Sequence, residues 1–356
     1  MKPIAAIDIG TNSVHLVVAK VDDHGHINRI DTDKVNLRLG EHISDDGFIT
    51  KEGIKGCVET IKQMQAISAA YTTDCRAVAT YATRTARNYA DMIRAVQQAS
   101  GIRIEVIDGF EEARLIYLGM REGLPLRDQQ LLGVDIGGGS TEIVAAKGDD
   151  IQAITSVSLG AVTMTRRHFN KGPDAGSQLE LRQHVNGHIK PLKEKFGAFS
   201  YDLAIATSGT AKALAHIHAE MNGRKLSDTN GYIIPGSDLQ GIIKELANLG
   251  DAKKIAERFN IDSRRSEIIL AGATILGLIT KSFSIQAWTV CTFGLREGLV
   301  VDTYSRIVGD MGPDRSSDIR SRSLKRFAQK YAVDLRHALN VQKLAGRLLK
   351  QMYNLK

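Results

Sequence analysis

The sequence predicts an α/β protein of two similar domains, each a mixed sheet opened by an antiparallel meander. Three observations carry that expectation. One stretch is written twice: residues 7–20 read IDIGTNSVHLVVAK and residues 134–147 read VDIGGGSTEIVAAK. Without a gap, Asp8 falls on Asp135, Gly10 on Gly137, Ser13 on Ser140 and Lys20 on Lys147, at an offset of 127 residues, a domain length rather than a solenoid period. Runs of β-rich residues alternate with helical periodicity along the chain. A length of 356 residues is enough for two full cores.

Each copy has the same local logic: an apolar run ending in Asp, a turn rich in Gly, Ser, Thr and Asn, and a returning β-rich run. Glycines in such a turn are expected to adopt positive φ and to expose consecutive N–H groups, a concavity suited to phosphate oxygens. The strand-end acids, Asp8 and Asp135, can hold a cation directly or through water. Two matching loops, one per domain, predict facing phosphate clamps across an interdomain cleft.

In chain order, VHLVVAKV and HINRIDTDKVNLRLG extend the first meander, turning at the Gly of DDHGH. Thr50 is placed to cap a helix with Ile54, Val58, Ile61 and Ile67 on one face. A strand at about 74–80 runs into a polar turn, YATRTARN, whose Arg84 and Arg87 sit where open α/β sheets bind ligands; a surface arginine on a helix's first turn is the plainer reading. After a helix ending near Gly101 come the strand IRIEVI and the helix FEEARLIYLGMREG. Glu111 and Glu112 open that helix, where the helix dipole alone accounts for an acidic pair.

A domain boundary is expected near residue 126, giving domains at 1–125 and 126–305. In the second copy Asp135 and Glu142 lie on opposite sides of the glycine turn, and a hairpin brings such positions together to share one metal or one water. His15 holds the position of Glu142 in the first copy, so the second loop is the expected ion holder. Further on, SQLELRQHVNGHIKPLKEKF reads as helical, YDLAIAT as a strand, and SGTAKALAHIHAEM as a third turn opening a helix toward the same cleft. Helices follow from about 237 to 281, then the strand IQAWTVC and a turn and helix in TFGLREGLVVDTY. His184 and His188, one helical turn apart, could chelate zinc but lack the intervening Glu of a zinc-protease helix. Residues 306–356 read as a polar linker (306–314) and two amphipathic helices, one carrying Leu324, Phe327, Ala328 and Tyr331, the other Leu335, Leu339, Leu344, Leu348, Met352 and Leu355.

Composition bounds the function. The 43% hydrophobic and 24% charged fractions are those of a globular chain, no run approaches the roughly 18 apolar residues of a membrane span, and MKP leads directly into a strand without a signal peptide, so a cytoplasmic protein is expected. Cys57, Cys75 and Cys291 lack metal-type spacing and read as reduced cysteines. The net charge of +7 is a property of the tail: residues 306–356 carry twelve Lys/Arg against four Asp, a net of +8, which leaves the first 305 residues at −1. Nucleic acid is therefore not an expected partner, and neither is a membrane.

At DIGTNS, EEARL, DIGGGSTE, the SGT turn and GLREG, in that order, the sequence resembles the exopolyphosphatase / guanosine pentaphosphate phosphohydrolase family over about residues 3–305. The resemblance implies two ribonuclease-H-like domains of the actin-like ATPase superfamily flanking a cleft. It also implies Mg²⁺-dependent release of terminal phosphate from inorganic polyphosphate, guanosine pentaphosphate or both. Carried over by motif, Glu112 is the implied base for the attacking water, and Asp135 and Glu142 the implied Mg²⁺ holders that also help orient that water. Asn12, Gly137, Gly138, Gly139 and Ser140 match phosphate-cradling positions, Arg84 a phosphate clamp, and Arg265 a further phosphate ligand. The family often has Cys where this chain has Ala161, so no thiol role carries over.

The tail is similar to the opening helices of the helical domain that long family members append, as though trimmed, and its apolar stripes make a homodimer an expectation. Two rivals share the phosphate loops. An actin-like ATPase or sugar kinase would turn over ATP, against which EEAR speaks, and a non-catalytic sensor of either anion would not need the intact acids.

Overall fold

The computed structural model describes residues 2–22, 26–126, 128–308 and 335–354. Its first sheet comprises β1 (Ile4–Ile9), β2 (Val14–Val21), β3 (Ile27–Val35), β4 (Cys75–Ala79) and β5 (Ile104–Val106) in the order β3-β2-β1-β4-β5. The second comprises β6 (Gln130–Ile136), β7 (Thr141–Lys147), β8 (Asp150–Val157), β9 (Leu203–Thr207), β10 (Ile233–Pro235) and β11 (Ala287–Val290) in the order β10-β11-β9-β6-β7-β8. Read from the meander, the two orders coincide, with an antiparallel hairpin leading to parallel strands in each. The fold is thus the pair of mixed α/β sheets, each opened by an antiparallel meander, that the repeat predicts, with β10 as an added antiparallel edge.

The helices of the first half are α1 (Lys51–Ala69), α2 (Tyr81–Thr85), α3 (Tyr89–Ser100) and α4 (Gly109–Gly123). Thr50 caps α1 as expected, its hydroxyl accepting from the Gly53 N–H. The most buried line on α1 is Cys57, Ile61 and Met64, while Ile54, Val58 and Ile67 are only partly buried against the same core, so the stripe is rotated from the predicted one. The expected polar turn YATRTARN instead opens with α2, and Gly101 ends α3 in the left-handed conformation, φ 72°, that favours glycine.

In the second half lie α5 (Ala161–His168), α6 (Ala175–Ile189), α7 (Leu192–Phe196), α8 (Ser208–Met221), α9 (Asp238–Leu249), α10 (Ala252–Phe259), α11 (Ser263–Ser282) and α12 (Leu295–Val308), followed by α13 (Leu335–Asn354). The α11 helix is buried nearly all round, from Ile268 to Thr280, and forms the spine of the second core. The expected first tail helix, with Leu324, Phe327, Ala328 and Tyr331, lies outside the described residues. On α13, Leu344 and Leu348 are exposed.

Two helices join the halves. The α4 helix packs against β7 and β8 of the second sheet, and α12, although it follows the second sheet in sequence, packs on α4, β1 and β2. The shared core between the sheets holds Ala6 and Val17 from one side, Val144 and Ile205 from the other, and Leu115, Leu118, Leu299 and Val300 from the two helices. Close approach requires glycine here: a Cβ on Gly298 would lie 1.7 Å from the Leu115 carbonyl oxygen, and one on Gly119 would lie 2.1 Å from that of Gly294. An ionic cluster locks the seam. Asp302 of α12 binds Arg76 at 2.6 Å, Arg114 at 2.7 Å and Arg306 at 2.8 Å, while Arg114 also grips Glu111 through two bonds of 2.8 Å.

Candidate active site

The repeated stretches form the predicted twin hairpins with the same register. Asp8 pairs with His15 across β1 and β2, and Asp135 pairs with Glu142 across β6 and β7. The turns between them face one another. The Gly138 Cα looks onto the Thr11 side chain, and a Cβ on Gly139 would lie 2.2 Å from Cδ1 of Tyr81 and 2.8 Å from Oγ1 of Thr11. Gly10, Gly137, Gly138 and Gly139 do not have positive φ, contrary to the sequence expectation. What this turn requires is space: Tyr81 and Thr11 crowd Gly139, Thr11 crowds Gly138, and a Cβ on Gly160 would lie 2.2 Å from the Gly138 carbonyl oxygen.

The α4 helix carries Glu112 into this junction. Asp108 caps the helix by accepting from the Glu111 N–H at 2.8 Å, and Gly109 lets its first turn press on β8, where a Cβ would meet that of Ser156 at 2.3 Å. Ser156 in turn donates to Oε1 of Glu142 at 2.7 Å. Glu112 is buried and accepts from Nη1 of Arg84 at 3.0 Å, and the same nitrogen donates to the Ile107 carbonyl at 2.8 Å. Arg84 therefore stands behind Glu112 and does not line the cleft.

Four acids converge, and their surroundings resist their charge. Burial pushes Asp8 up to about 7, opposed by Arg296 and reinforced by Asp135. Burial likewise lifts Asp135 to about 6 against a hydrogen bond from Ser208. Glu112 and Glu142 are both raised, by burial first and then by neighbouring carboxylate charge: Glu142 acts on Glu112, and Asp135 on Glu142. His15 is driven down to about 2 by burial and by Arg296, Lys34 and Lys212, so the imidazole is neutral, with Nε2 at 2.7 Å from the Ser13 hydroxyl.

Around these groups the halves enclose two continuous cavities. The inner one, of about 140 Å³, is lined by Glu112, Glu142 and the two turns, including Gly137, Gly138, Gly139 and Ser140. The outer one, of about 680 Å³, opens toward α8 and α11. Asp8, Asn12, Asp135, Ser208 and Arg265 line both. The outer wall is cationic, with Lys34, Lys212, Arg224, Lys225, Arg264 and Arg296 joining Arg265. The guanidinium of Arg265 lies against Gly209, whose Cβ would meet Nη2 at 2.2 Å.

Several of these groups were not singled out from sequence. Lys212 follows Ser208 by one helical turn on α8, and the helix start at SGT was the signal that could have found it. Arg296 sits within GLREG, beside Glu297, which is fully buried and paired with Arg29 at 2.8 Å. Ser208 itself holds φ 70°, unusual for a non-glycine residue, and its hydroxyl donates to the Ile136 carbonyl at 2.8 Å, so this backbone bend fixes the start of α8 beside Asp135.

The donor set suits a hard divalent cation. Oδ1 of Asp8 is buried with no hydrogen-bond partner, and it faces a cluster of carboxylates that repel one another without a counter-charge. Among the described residues no three His, Cys, Asp or Glu side chains form a complete ligand set. A cation here would accordingly be held by one or two carboxylates and completed by water and phosphate oxygens. His184 and His188 stand apart on α6 with rings stacked 4.9 Å apart, and they join no such set.

The sequence profile described as the Ppx/GppA phosphatase family matches residues 17–307. The chain is 29% identical over 346 residues to exopolyphosphatase 1 of Mycobacterium tuberculosis, a match spanning 90% of this chain and 99% of that protein. Among solved structures it is similar to an exopolyphosphatase from Cytophaga hutchinsonii, with a TM-score of 0.78 and 25% identity over 86% of this chain and 98% of that one. A Ppx/GppA family member from Aquifex aeolicus gives a TM-score of 0.74 at 24% identity, over 88% of this chain and 99% of that one. No described helix is long and apolar enough to cross a membrane. Matched across most of its length by the family profile and by structures of the same two-sheet fold, the chain belongs to the Ppx/GppA phosphatase family.

Proposed function

We propose that this phosphatase is an exopolyphosphatase that, with Mg²⁺, releases the terminal phosphate of inorganic polyphosphate. The observation that carries the reading is the polarity of the cleft: a small acid-lined chamber at its inner end and a cationic wall along the rest. A linear polyanion fits that arrangement, its last phosphoryl group among the carboxylates and turn amides and its remaining charges against Arg265, Lys212 and Arg296.

In this reading Asn12, Ser140 and the amides of Gly137, Gly138 and Gly139 orient the terminal phosphoryl group. Asp135 and Glu142 would hold the cation, with Asp8 reaching it through water, and the ion would supply charge neutralisation at the phosphoryl oxygens. Glu112 takes the proton from water as it attacks in line. Burial and the Glu142 charge raise the affinity of Glu112 for that proton, and Arg84 at Oε2 restrains the rise while holding the carboxylate in place. Ser156 fixes the Glu142 rotamer. Lys212, with its ammonium weakened by burial to about 8, and Arg296 offset the negative charge that builds on the bridging oxygen as the chain leaves.

Guanosine pentaphosphate ends in the same phosphoryl group and is the second substrate to test. The decisive experiment is phosphate release in MgCl2 from long-chain polyphosphate and from guanosine pentaphosphate by wild type and Glu112→Gln. The expected result is turnover of polyphosphate that drops at least about 100-fold in the variant. Wild-type rates in a folded Glu112→Gln protein, or ATP turnover with none on polyphosphate, would overturn the proposal.

A further inference from the structure

The two hairpin loops match in backbone and differ in the partner each gives its serine. In the second loop Ser140 stands two residues before Glu142, whose side chain accepts from the Ser140 hydroxyl. In the first, Ser13 stands two residues before His15, with its Oγ at 2.7 Å from Nε2 of the ring. Both serines line the inner chamber, and both partners lie across the hairpin from a strand-end acid, Glu142 from Asp135 and His15 from Asp8.

The other ring nitrogen decides which way the Ser13 bond runs. Nδ1 of His15 lies 3.4 Å from Nη1 of Arg296, which arrives on α12. A guanidinium only donates, so Nδ1 must accept, and an accepting Nδ1 leaves the ring one proton, at Nε2. Nε2–H therefore donates to Oγ of Ser13. The hydroxyl proton of Ser13 has to point away from the ring, and among the described residues it meets no protein acceptor. Ser140 is in the reverse situation, because Glu142 competes for its proton.

We infer that His15 is a positioning residue: held by Arg296 with its proton on Nε2, it turns the Ser13 hydroxyl proton into the chamber, where it donates to an oxygen of the terminal phosphoryl group. The inference rests on the phosphoryl-hydrolysis reading of the inner site and adds to it a donor whose direction is fixed. It also gives a physical reason for the break in the repeat. A carboxylate at position 15 would draw the serine proton to itself and leave an oxygen lone pair facing an anion. An imidazole of fixed tautomer frees that proton and adds no negative charge beside Asp8. Since α12 packs on β1 and β2, the orientation of Ser13 is a product of the seam between the halves.

The test sets wild type beside Ser13→Ala, His15→Leu, the combination of the two, and His15→Gln. Each is assayed for phosphate release from tripolyphosphate and long-chain polyphosphate in MgCl2, with circular dichroism and thermal melting as the check on fold. Losing a hydrogen bond to a charged group lowers kcat/KM about 10- to 100-fold, which is the expected effect of Ser13→Ala. His15→Leu should fall as far and the double variant no further, because His15 acts through Ser13. A glutamine amide can accept from Arg296 and donate to Ser13, so His15→Gln should stay within about threefold of wild type. Losses that multiply in the double variant, or a Gln variant as impaired as Leu, would overturn the inference. Nitrogen-15 NMR of histidine-labelled protein reads the tautomer without turnover, the His15 signals being those that vanish in His15→Gln. A lone proton on Nε2 supports the relay, and a proton on Nδ1 refutes it. Should wild type release no phosphate, the proposed function fails separately. The same variants are then compared by equilibrium binding of tripolyphosphate, where the same pattern of losses supports the inference and any other, including no binding at all, refutes it.

Discussion

Asp302→Ala isolates the ionic lock between the two halves. Asp302 is 4% exposed and accepts from three guanidinium groups, of which Arg76 and Arg114 are themselves nearly buried. Deleting one partner of a buried pair costs about 3–5 kcal/mol, because the remaining charge is stranded. Arg76 keeps Glu105 and Arg114 keeps Glu111, which points to the lower end, but Nη1 of Arg114 already lacks a hydrogen-bond partner and cannot absorb a further loss. We expect a loss of about 3 kcal/mol and, at roughly 2–4 °C per kcal/mol, a fall in Tm of roughly 6–12 °C. Burial disfavours the charged form of Asp302, but Arg114, Arg76 and Arg306 outweigh it and hold its pKa below the ordinary carboxylate value. A depressed folded-state value means the contribution is present above about pH 4 and is lost as pH falls through it. Thermal melts of Asp302→Ala and Asp302→Asn at pH 7 and near pH 3 are the assay, with Asn retaining one acceptor and losing less. A Tm within about 2 °C of wild type at pH 7 would refute the reasoning, as would a deficit that grows toward acid pH.

Other outcomes follow from the same geometry. Gly139→Ala should cost about 1–3 kcal/mol from overpacking against Tyr81 and lower kcat/KM at least about tenfold; the pair Gly139→Ala/Tyr81→Ala should recover part of the melting temperature, and no recovery would locate the strain elsewhere. The raised pKa values of Asp8 and Asp135, about 7 and about 6, give the opposite linkage to Asp302. Their folded-state contribution is present at acid pH and lost as pH rises through those values. Melts without metal should therefore decline from pH 5 to pH 8, and Asp135→Asn should flatten the decline; a flat or rising wild-type curve would contradict the burial of these charges. MgCl2 should raise Tm more at pH 8 than at pH 5 in wild type, a difference that Asp8→Asn should reduce. Trp288 is fully buried and donates to the Thr280 hydroxyl at 2.7 Å, so Trp288→Ala should cost about 3–5 kcal/mol by urea unfolding.

Local signals carried much of the fold and the inner site. The doubled DIG stretch determined two homologous hairpins because strand, turn and returning strand are encoded within fourteen residues, and β pairing with period two then fixes Asp135 opposite Glu142. Thr50 and Gly101 marked helix ends through bonds that reach no further than a few residues. Family motifs named Glu112 and Arg265, although the helix dipole alone would have explained an acid at the start of α4.

Tertiary packing decided what depends on contacts between distant segments. That α12 returns to the first sheet, that Arg84 stands behind Glu112, and that the turn glycines provide clearance instead of positive φ all depend on partners more than a domain element away. The charge argument shows the limit most directly. The sequence places the excess positive charge in the tail and leaves the first 305 residues at −1, and that sum is correct. A sum has no direction. Folding brings Lys34, Lys212, Arg224, Arg264 and Arg296 from four separate stretches onto one wall, and only the assembled cleft has a field that an anion can follow.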